Sequence, residues 1–534
     1  MNEQIEAQLI KSYIDGGYWQ DITLGDFLRD CARKWPKNIA VLDAMESLTY
    51  EELNKASDSI ACYLAKLGIA CGDRILFQMK NCVWHTATLF GIAKAGAIPI
   101  MALGAHRYKE LLSFAQRANP VAFITNEIYQ GFNYPALAKE VQLDAPSIRD
   151  VLTVSDMMRA AHEGNVLTAE QYAKRRPEFT DPCVLTCSGG STNVPKLIPR
   201  RHTDYLYDAQ TFAAFLDMKQ SDVYLIALPA SHNFVFGNPG VLGTLSLGAT
   251  AVMCENPSPD EILPMIDEHR VTITALVPAV LSAMLDTLSW DDAYDTTCLR
   301  LLLVGGAVLE EQLARKTLQK FPGCLRQVFG TAEGINFCTS ANDSDDIVVS
   351  CQGKPISPAD KWRIVNEDLC EVAQGESGEL IALGAYTIQH YYNAPEAEDS
   401  FTADGYYRTG DKAHVSAEGN LVVEGRVTEQ INRGGEKVMP SEIEGYLAAF
   451  PGIEEVQVVG VADELLGQRV CVYLIGEPEQ TPEQTPTPMQ LNSYLANLGV
   501  AAHKSVDQVR SIDSWPLTSV GKINRKLLCE WAAS

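Results

Sequence analysis

Short, nearly continuous apolar runs alternate along this chain with longer stretches in which apolar residues recur every three or four positions. After Thr49, a candidate helix cap, "LTYEELNKASDSIACYLAKLG" (48–68) keeps helical spacing, and residues 24–66 as a whole predict one helix followed by another. "DRILFQMKN" (73–81) predicts a strand, and "VWHTATLFGIAKAGAIPIMA" (83–102) a helix, a turn and a strand. "PVAFITN", "DVLTV", "VYLIALP", "ATAVMCE", "VTITALVP" and "LRLLLVGG" follow as apolar runs bounded by turn residues. Helical stretches such as "DEILPMIDEH" and "EEQLARKTLQKF" lie among them. This order predicts βαβ units and largely parallel, buried sheets.

After about residue 355 the texture changes to short strands between Gly and Asp turns: "KWRIVNED", "GELIALG", "NLVVEGR". Near 426 it changes again, to helix and strand alternating on a smaller scale. The expected fold class is therefore α/β. A large N-terminal domain (1–426) has mixed and parallel sheets flanked by helices plus a β-rich subdomain, and a small, mobile α+β domain (427–534) follows. "EPEQTPEQTPTP" (477–488) reads as a solvated loop ahead of the helix "MQLNSYLANLG".

Composition narrows the function. A chain of 534 residues exceeds one core, and 46% apolar with 21% charged residues is ordinary for globular domains. The net charge of −25 disfavours nucleic acid and anionic membranes as partners. Fourteen cysteines without a C-x-x-C pair lack metal-ligand spacing and suit a reducing cytoplasm. "MNEQIEAQLIKSY" has neither the basic nor the apolar block of a signal peptide. The most apolar window (89–105) is broken by Lys94 and Pro99, so no membrane span is expected.

Against that background "CSGGSTNVPKLIPR" (187–200) stands out. Backbone N–H groups of a Gly/Ser/Thr loop can converge on an anion, hydroxyls add donors, and Lys196 adds charge. That suits a polyphosphate, although the Walker spacing is absent. Four more segments follow in order: "FGTAEG" (329–334) with Glu333, "YRTGD" (407–411) with Asp411, "GRVTEQINRGGEKV" (425–438) with Arg426 and a Gly-Gly loop, and "PLTSVGKINRK" (516–526) with Lys522. An Asp after Gly is by itself a turn former and a terminal Lys a solvated one; the set carries the signal.

The set resembles the ANL superfamily of adenylate-forming enzymes over nearly the whole chain. "GGYWQD" (16–21), "LPASHNFVFGNPGVLG" (228–243) and "QINRGGEKV" (430–438) look like the stand-alone aryl-acid ligases of siderophore and nonribosomal peptide pathways, 2,3-dihydroxybenzoate–AMP ligases above all. The resemblance implies two half-reactions. An aryl carboxylate and ATP give aryl-AMP and pyrophosphate, and the aryl group then passes to the phosphopantetheine thiol of an aryl carrier protein on a separate chain.

By the same resemblance, Ser188, Gly189, Gly190, Ser191, Thr192 and Lys196 cradle the β- and γ-phosphates. Glu333 holds Mg²⁺, and Thr331 meets the α-phosphate. Gly305, Gly306, Ala307 and Gly330 lie against adenine and the acid's ring. Asp411 takes the ribose hydroxyls with Arg426 nearby. Lys522 bridges the carboxylate and the charge developing at phosphorus. Arg433, Gly434, Gly435 and Lys437 line the thiol channel, and Thr428 occupies the pivot about which the C-terminal domain rotates.

His232, Asn233, Phe234, Asn238 and Asn336 would form the acid pocket, Asn233 donating to an ortho hydroxyl and Phe234 stacking on the ring. The sequence departs from the family at several positions. Asn238 stands where dihydroxybenzoate enzymes carry Ser and salicylate enzymes Cys, and Asn336 where Val or Leu is usual. Thr428 replaces a charged pivot, Asn193 a loop glycine, and Val506 a proline. The two pocket asparagines leave 2,3-dihydroxybenzoate, 3-hydroxypicolinate, salicylate and an aminobenzoate open. An aryl-CoA ligase using free CoA remains the alternative within the superfamily, and a motion-driving ATPase or a non-catalytic scaffold outside it.

Overall fold

The computed structural model describes residues 3–187, 196–291, 293–433, 436–463, 466–476, 485–498, 500, 504–518 and 522–533. The chain divides into two compact units, residues 1–362 with 382–407, and residues 363–381 with 408–534.

In the first unit the apolar runs form two sheets. One has nine strands among the described residues. Its central part, in spatial order Leu325–Thr331, Leu301–Gly305, Ile273–Leu276, Val223–Ile226, Thr250–Met253 and Ile39–Leu42, is parallel throughout. Ile335–Cys338 and Lys354–Pro355 extend one edge in antiparallel sense, and Ser47–Thr49 the other. The second sheet places Pro182–Cys187 beside Ile98–Met101, Arg74–Gln78, Ala122–Thr125 and Asp150–Thr153, all parallel, with Leu197–Arg201 antiparallel at its edge. One apolar core draws on both sheets (Phe77, Met101, Ile226, Ile273) and on the helices among them (Leu28, Ile60, Phe90, Phe236). It covers one face of each sheet, and separate apolar clusters cover the other faces (Leu225, Leu276 and Leu302 in the first sheet, Leu76, Ile100 and Phe123 in the second), which is why these strands are apolar on both faces.

Helix Tyr50–Lys66 begins at Thr49, whose side chain accepts from Glu52 N while the Glu52 carboxylate returns the bond, a capping box. The prediction of helix upon helix over 24–66 is corrected between the two helices. Strands Ile39–Leu42 and Ser47–Thr49 separate Leu24–Lys34 from Tyr50–Lys66. "IAVL" is too short for its periodicity to register, and it becomes a strand because the parallel strand Thr250–Met253 pairs with it. Helix Glu3–Asp15 is an element that the sequence pattern does not announce.

The second unit contains a sheet with strands Gly378–Leu383, Tyr407–Val415 and Leu421–Arg426, and a C-terminal α+β part. There the long strands Ile453–Asp463 and Gly467–Gly476 pair antiparallel, and Gln508–Ser511 joins the second in parallel. Ile443, Leu447, Val458, Val472 and Leu491 form its core. Val506 is buried in that core, its N–H donating to Asn492 Oδ1 at 2.7 Å while Asn492 Nδ2 donates back to its carbonyl at 2.9 Å. A proline lacks the N–H that this exchange requires. Of the stretch 477–488, expected as a solvated loop, residues 477–484 lie outside the described residues.

Candidate functional site

Strand Pro182–Cys187 delivers the chain to the Gly/Ser/Thr loop, and strand Leu197–Arg201 takes it up again. Ser188, Gly189, Gly190, Ser191 and Thr192 themselves, with Asn193, lie outside the described residues. Lys196, just before the second strand, is half-buried, and its Nζ sits 4.5 Å from the centre of the Tyr391 ring. Tyr391 Oη in turn donates to Glu333 Oε1 at 2.7 Å. The cation of the loop and the acid of "FGTAEG" thus contact one buried tyrosine, the first over its ring and the second at its hydroxyl. A cation over an aromatic face and a phenol donating to a carboxylate are both favourable.

The turn carrying Glu333 is built for one conformation. Gly334 has φ +103°, and a Cβ there would lie 1.8 Å from Tyr386 O. Ile388 N donates to Glu333 O at 2.7 Å. Two residues before Glu333, Thr331 Oγ1 is buried with no hydrogen-bond partner among the described residues. An orphaned hydroxyl costs free energy until something fills its place, and a phosphate oxygen is suited to do so. For a hard dication, one carboxylate plus phosphate oxygens is a sufficient donor set, so the single acid Glu333 fits a Mg²⁺ that arrives with its nucleotide. Among the described residues, no cluster of three or more His, Cys, Asp or Glu could hold a metal independently.

The second part of the site lies on the same sheet. Gly305 pairs with Val328, and Gly330 with Asn336, so these four residues share one face. Two of them lack side chains. A Cβ on Gly305 would approach Phe234 Cζ to 3.3 Å, and one on Gly330 would meet Asn336 Oδ1 at 2.2 Å. The outcome is a stretch of backbone with little side chain beside an aromatic ring, exposed at Gly306, Ala307 and Gly330.

Phe234 is held there by a four-residue helix, Asn233–Phe236. His232 caps that helix, its Nδ1 accepting from Phe234 N at 3.2 Å. With Nδ1 accepting, a ring proton on His232 sits on Nε2. Upstream, Asn81 fixes the approach to this helix. Its two Nδ2 hydrogens are shared among Ile226 O, Leu228 O and Cys254 O at 2.8–3.1 Å, and its Oδ1 accepts from Ala230 N at 2.6 Å. His85 Nε2 lies 3.2 Å from Ser231 Oγ, and burial holds that imidazole down at about 3, hence neutral.

The two asparagines that depart from the family are bonded to each other. Asn238 Nδ2 donates to Asn336 Oδ1 at 3.1 Å, and Asn336 Nδ2 donates to Asp208 Oδ1 at 2.9 Å. Asp208 Oδ2 accepts from Arg200 at 3.1 Å, and Arg200 Nε donates to Asp204 Oδ1 at 3.0 Å. Arg200 is fully buried and also reaches Ala332 O at 3.4 Å. One guanidinium therefore braces both the Glu333 turn and the asparagine pair. Burial lifts the Asp208 carboxyl to about 7 against the opposing pull of Arg200. Removing one member of such a buried charge group costs about 3–5 kcal/mol.

In the second unit Asp411 and Arg426 are cross-strand partners, with Arg426 Nε 3.0 Å from Asp411 Oδ1. Arg426 also donates to Thr409 O at 2.7 Å beside Gly410, which has φ +70° within strand Tyr407–Val415. Thr428 lies in the single turn Val427–Glu429. Arg433 forms a forked pair with Asp507 at 2.6 and 2.9 Å, and Lys437 lies on strand Glu436–Val438. Gly434 and Gly435 are outside the described residues. Lys522 is exposed; Thr518 N donates to Lys522 O at 2.6 Å and Lys522 N to Thr518 Oγ1 at 3.1 Å. Three residues on, Arg525 forks onto Glu444 at 2.8 and 2.9 Å, anchoring the start of helix Arg525–Ala533 to helix Pro440–Leu447.

The motifs do not point to Arg200, Asp208, Tyr391 or Asn81. For the first two a signal exists: charges at 200, 204 and 208 repeat every four residues beside an apolar strand. Tyr391 and Asn81 act across long sequence separations that no local pattern encodes.

Comparison with known proteins agrees with this layout. The "AMP-binding enzyme" family matches residues 28–392, and the "AMP-binding enzyme C-terminal domain" residues 442–522. The chain is 38% identical over 524 residues to the 2,3-dihydroxybenzoate-AMP ligase of Bacillus subtilis (strain 168), covering 98% of this chain and 96% of that one. It is 38% identical over 532 residues to the salicyl-AMP ligase / salicyl-S-ArCP synthetase of Mycobacterium tuberculosis, covering 98% and 93%. Among solved structures, apo MbtA of Mycobacterium smegmatis superposes with a TM-score of 0.74 at 38% identity, over 98% of this chain and 97% of that one.

Proposed function

This chain belongs to the family of AMP-binding enzymes, and from that premise we propose that it activates an aryl carboxylic acid with ATP and loads it onto a carrier thiol. An acid oxygen attacks the α-phosphorus of ATP and pyrophosphate leaves, giving aryl-AMP. The phosphopantetheine thiol of an aryl carrier protein then attacks the acyl carbon. The acyl–oxygen bond breaks, AMP departs with the bridging oxygen, and the thiol proton passes to solvent. Of the acids, 2,3-dihydroxybenzoate comes first, by the likeness to the Bacillus enzyme.

The chain's own residues position and stabilise charge. Phe234 and the Gly305–Gly330 backbone hold the ring flat, and Asn233, Asn238 and Asn336 read its polar substituents. Gly306 and Ala307 continue that backbone toward adenine. Ser188 to Thr192 and Lys196 bind the outer phosphates, Thr331 the inner one. His232 holds the helix that carries Phe234 and Asn233. Glu333 holds Mg²⁺, which when bound neutralises phosphate charge. Asp411 and Arg426 take the ribose. Lys522 steadies the carboxylate and the charge building at phosphorus. In this proposal residues 427–534 act as the mobile part turning about Thr428, so that Arg433 to Lys437 serve the thiol step and Lys522 the first.

One observation carries the proposal. The strand pair Leu325–Thr331 and Ile335–Cys338 supplies Gly330 and Asn336 to the proposed acid site, while the turn joining them supplies Thr331 and Glu333. A ring-bound carboxylate and a phosphate are thereby offered neighbouring places on one turn of chain. ATP–pyrophosphate exchange across substituted benzoates and pyridine carboxylates tests it. Exchange is expected only when an aryl acid is added. Exchange without any acid, or with none of them, overturns the proposal, and transfer to free CoA in preference to a holo-carrier protein overturns its second half.

A further inference from the structure

We infer that Trp19 is a positioning residue for the first half-reaction: from the N-terminal segment it anchors the stretch 385–391 that holds the Glu333 turn, and so sets the grip on MgATP. The inference goes beyond the proposed function but rests on its reading of Glu333 as the residue that holds Mg²⁺.

Every link is a contact within the first unit. Trp19 is buried, and its Nε1 donates to Ala385 O at 2.6 Å across 366 positions. The stretch that follows Ala385 wraps the turn carrying Glu333. Tyr386 O lies against Gly334, where only the absence of a Cβ lets it approach. Thr387 Oγ1 donates to Gly334 O at 2.5 Å, Ile388 N to Glu333 O at 2.7 Å, and Tyr391 Oη to the Glu333 carboxylate at 2.7 Å. One short stretch thus fixes both the backbone and the carboxylate of Glu333, and Trp19 holds its first residue. A buried indole usually finds an acceptor. What distinguishes this one is that its acceptor belongs to the stretch bonded to Glu333.

The N-terminal segment also grips the other arm of the site. Trp19 N donates to Tyr13 O at 3.1 Å and the two rings lie 5.4 Å apart, which ties Trp19 to helix Glu3–Asp15. On that helix Glu6 pairs with Arg201 through one carboxylate oxygen, and its other oxygen lies 3.9 Å from His390 Nδ1. The Arg201 guanidinium is also 5.7 Å from the Trp19 ring. Arg201 ends the strand Leu197–Arg201, which starts beside Lys196, and Tyr392 N donates to Leu197 O at 2.9 Å. Glu6 and Trp19 together therefore brace the strand that begins at Lys196 against the stretch that holds Glu333.

The test uses the full chain. Trp19→Phe keeps a ring against Tyr13 and removes the N–H, leaving the Ala385 carbonyl without it. In pyrophosphate exchange at saturating aryl acid, kcat/KM for MgATP is expected to fall about fivefold. The Mg²⁺ concentration for half-maximal exchange at fixed ATP should rise with it. Transfer of the aryl group from supplied aryl-AMP to the carrier thiol involves no Mg²⁺-bound triphosphate and should stay within about twofold. A folded W19F variant whose kcat/KM for MgATP falls by less than about twofold overturns the inference, and so does one in which aryl transfer loses as much, the mark of a purely structural role. If W19F does not fold, Glu6→Gln decides. It keeps the apolar contacts of the helix, weakens the tie to Arg201 and His390, and should show the same one-sided loss at about twofold to threefold. A loss below about 1.5-fold, or one shared by both half-reactions, refutes the brace. Wild-type exchange that needs no aryl acid, or that no aryl acid supports, overturns the proposed function along with the inference. Acid- and Mg²⁺-dependent exchange that both variants leave unchanged overturns the inference alone.

Discussion

Tyr391 offers the sharpest single perturbation, because Tyr391→Phe removes one bond and keeps the ring. In the wild type Tyr391 Oη donates to Glu333 Oε1 at 2.7 Å, and both residues are buried. A hydrogen bond to a charged group contributes about 1.5–3 kcal/mol. The phenylalanine ring retains the face on which Lys196 rests at 4.5 Å, so the cation–π attraction of about 0.5–2 kcal/mol survives. The hydroxyl fixes one carboxylate oxygen of Glu333, the residue proposed to hold Mg²⁺, so its loss should appear in nucleotide binding. We expect kcat/KM for MgATP to fall about tenfold at saturating acid, the low end of the range, because water recovers part of the bond. Tyr391→Leu loses both contacts and should fall several-fold further. The readout is pyrophosphate exchange with MgATP varied, beside thermal unfolding of both variants. A Phe variant within about twofold of wild type refutes the reasoning, and so does a Phe variant as impaired as the Leu one.

Three more expectations follow from the geometry. Gly334→Ala must fit a Cβ 1.8 Å from Tyr386 O at φ +103°, so it should lose at least about 2 kcal/mol of stability in denaturant unfolding; an unchanged midpoint would contradict the turn. Asp360, which accepts from Tyr386 Oη at 2.7 Å, has its carboxyl lifted by burial to about 7. The folded value exceeds the unfolded one, so its contribution is full below about pH 4 and is lost as pH rises to about 7, by at most about 1.4 kcal/mol per unit. Asp360→Asn should therefore flatten the fall of stability with pH over that window, and parallel wild-type and variant curves would count against it. Lys522→Ala should depress aryl-AMP formation by about a hundredfold or more, as loss of a transition-state charge does. Acyl transfer from supplied aryl-AMP should stay within a few-fold. Equal losses in the two half-reactions would remove Lys522 from its assigned role.

Much of the architecture was legible because parallel strands buried on both faces leave unmistakable apolar runs: "LRLLLVGG" and "VTITALVP" became the strands Leu301–Gly305 and Ile273–Leu276. "IAVL" at 39–42 was not legible, since four residues carry no period and pairing with Thr250–Met253 and Ser47–Thr49 makes it a strand. A short motif such as "FGTAEG" could be picked out from sequence alone. Tyr391 could not, because it meets Glu333 across 58 positions. Nor could the link between Asn238 and Asn336, 98 positions apart, which turns two separate departures from the family into one polar feature.

The central claim is that an acid oxygen becomes bonded to the α-phosphorus of ATP. A single-turnover reaction with an aryl acid labelled with ¹⁸O in both carboxylate positions, carried through to thioester, tests it by mass spectrometry of the released nucleotide. One labelled oxygen in AMP is the predicted result. ADP as the product, or AMP without label, would contradict the account.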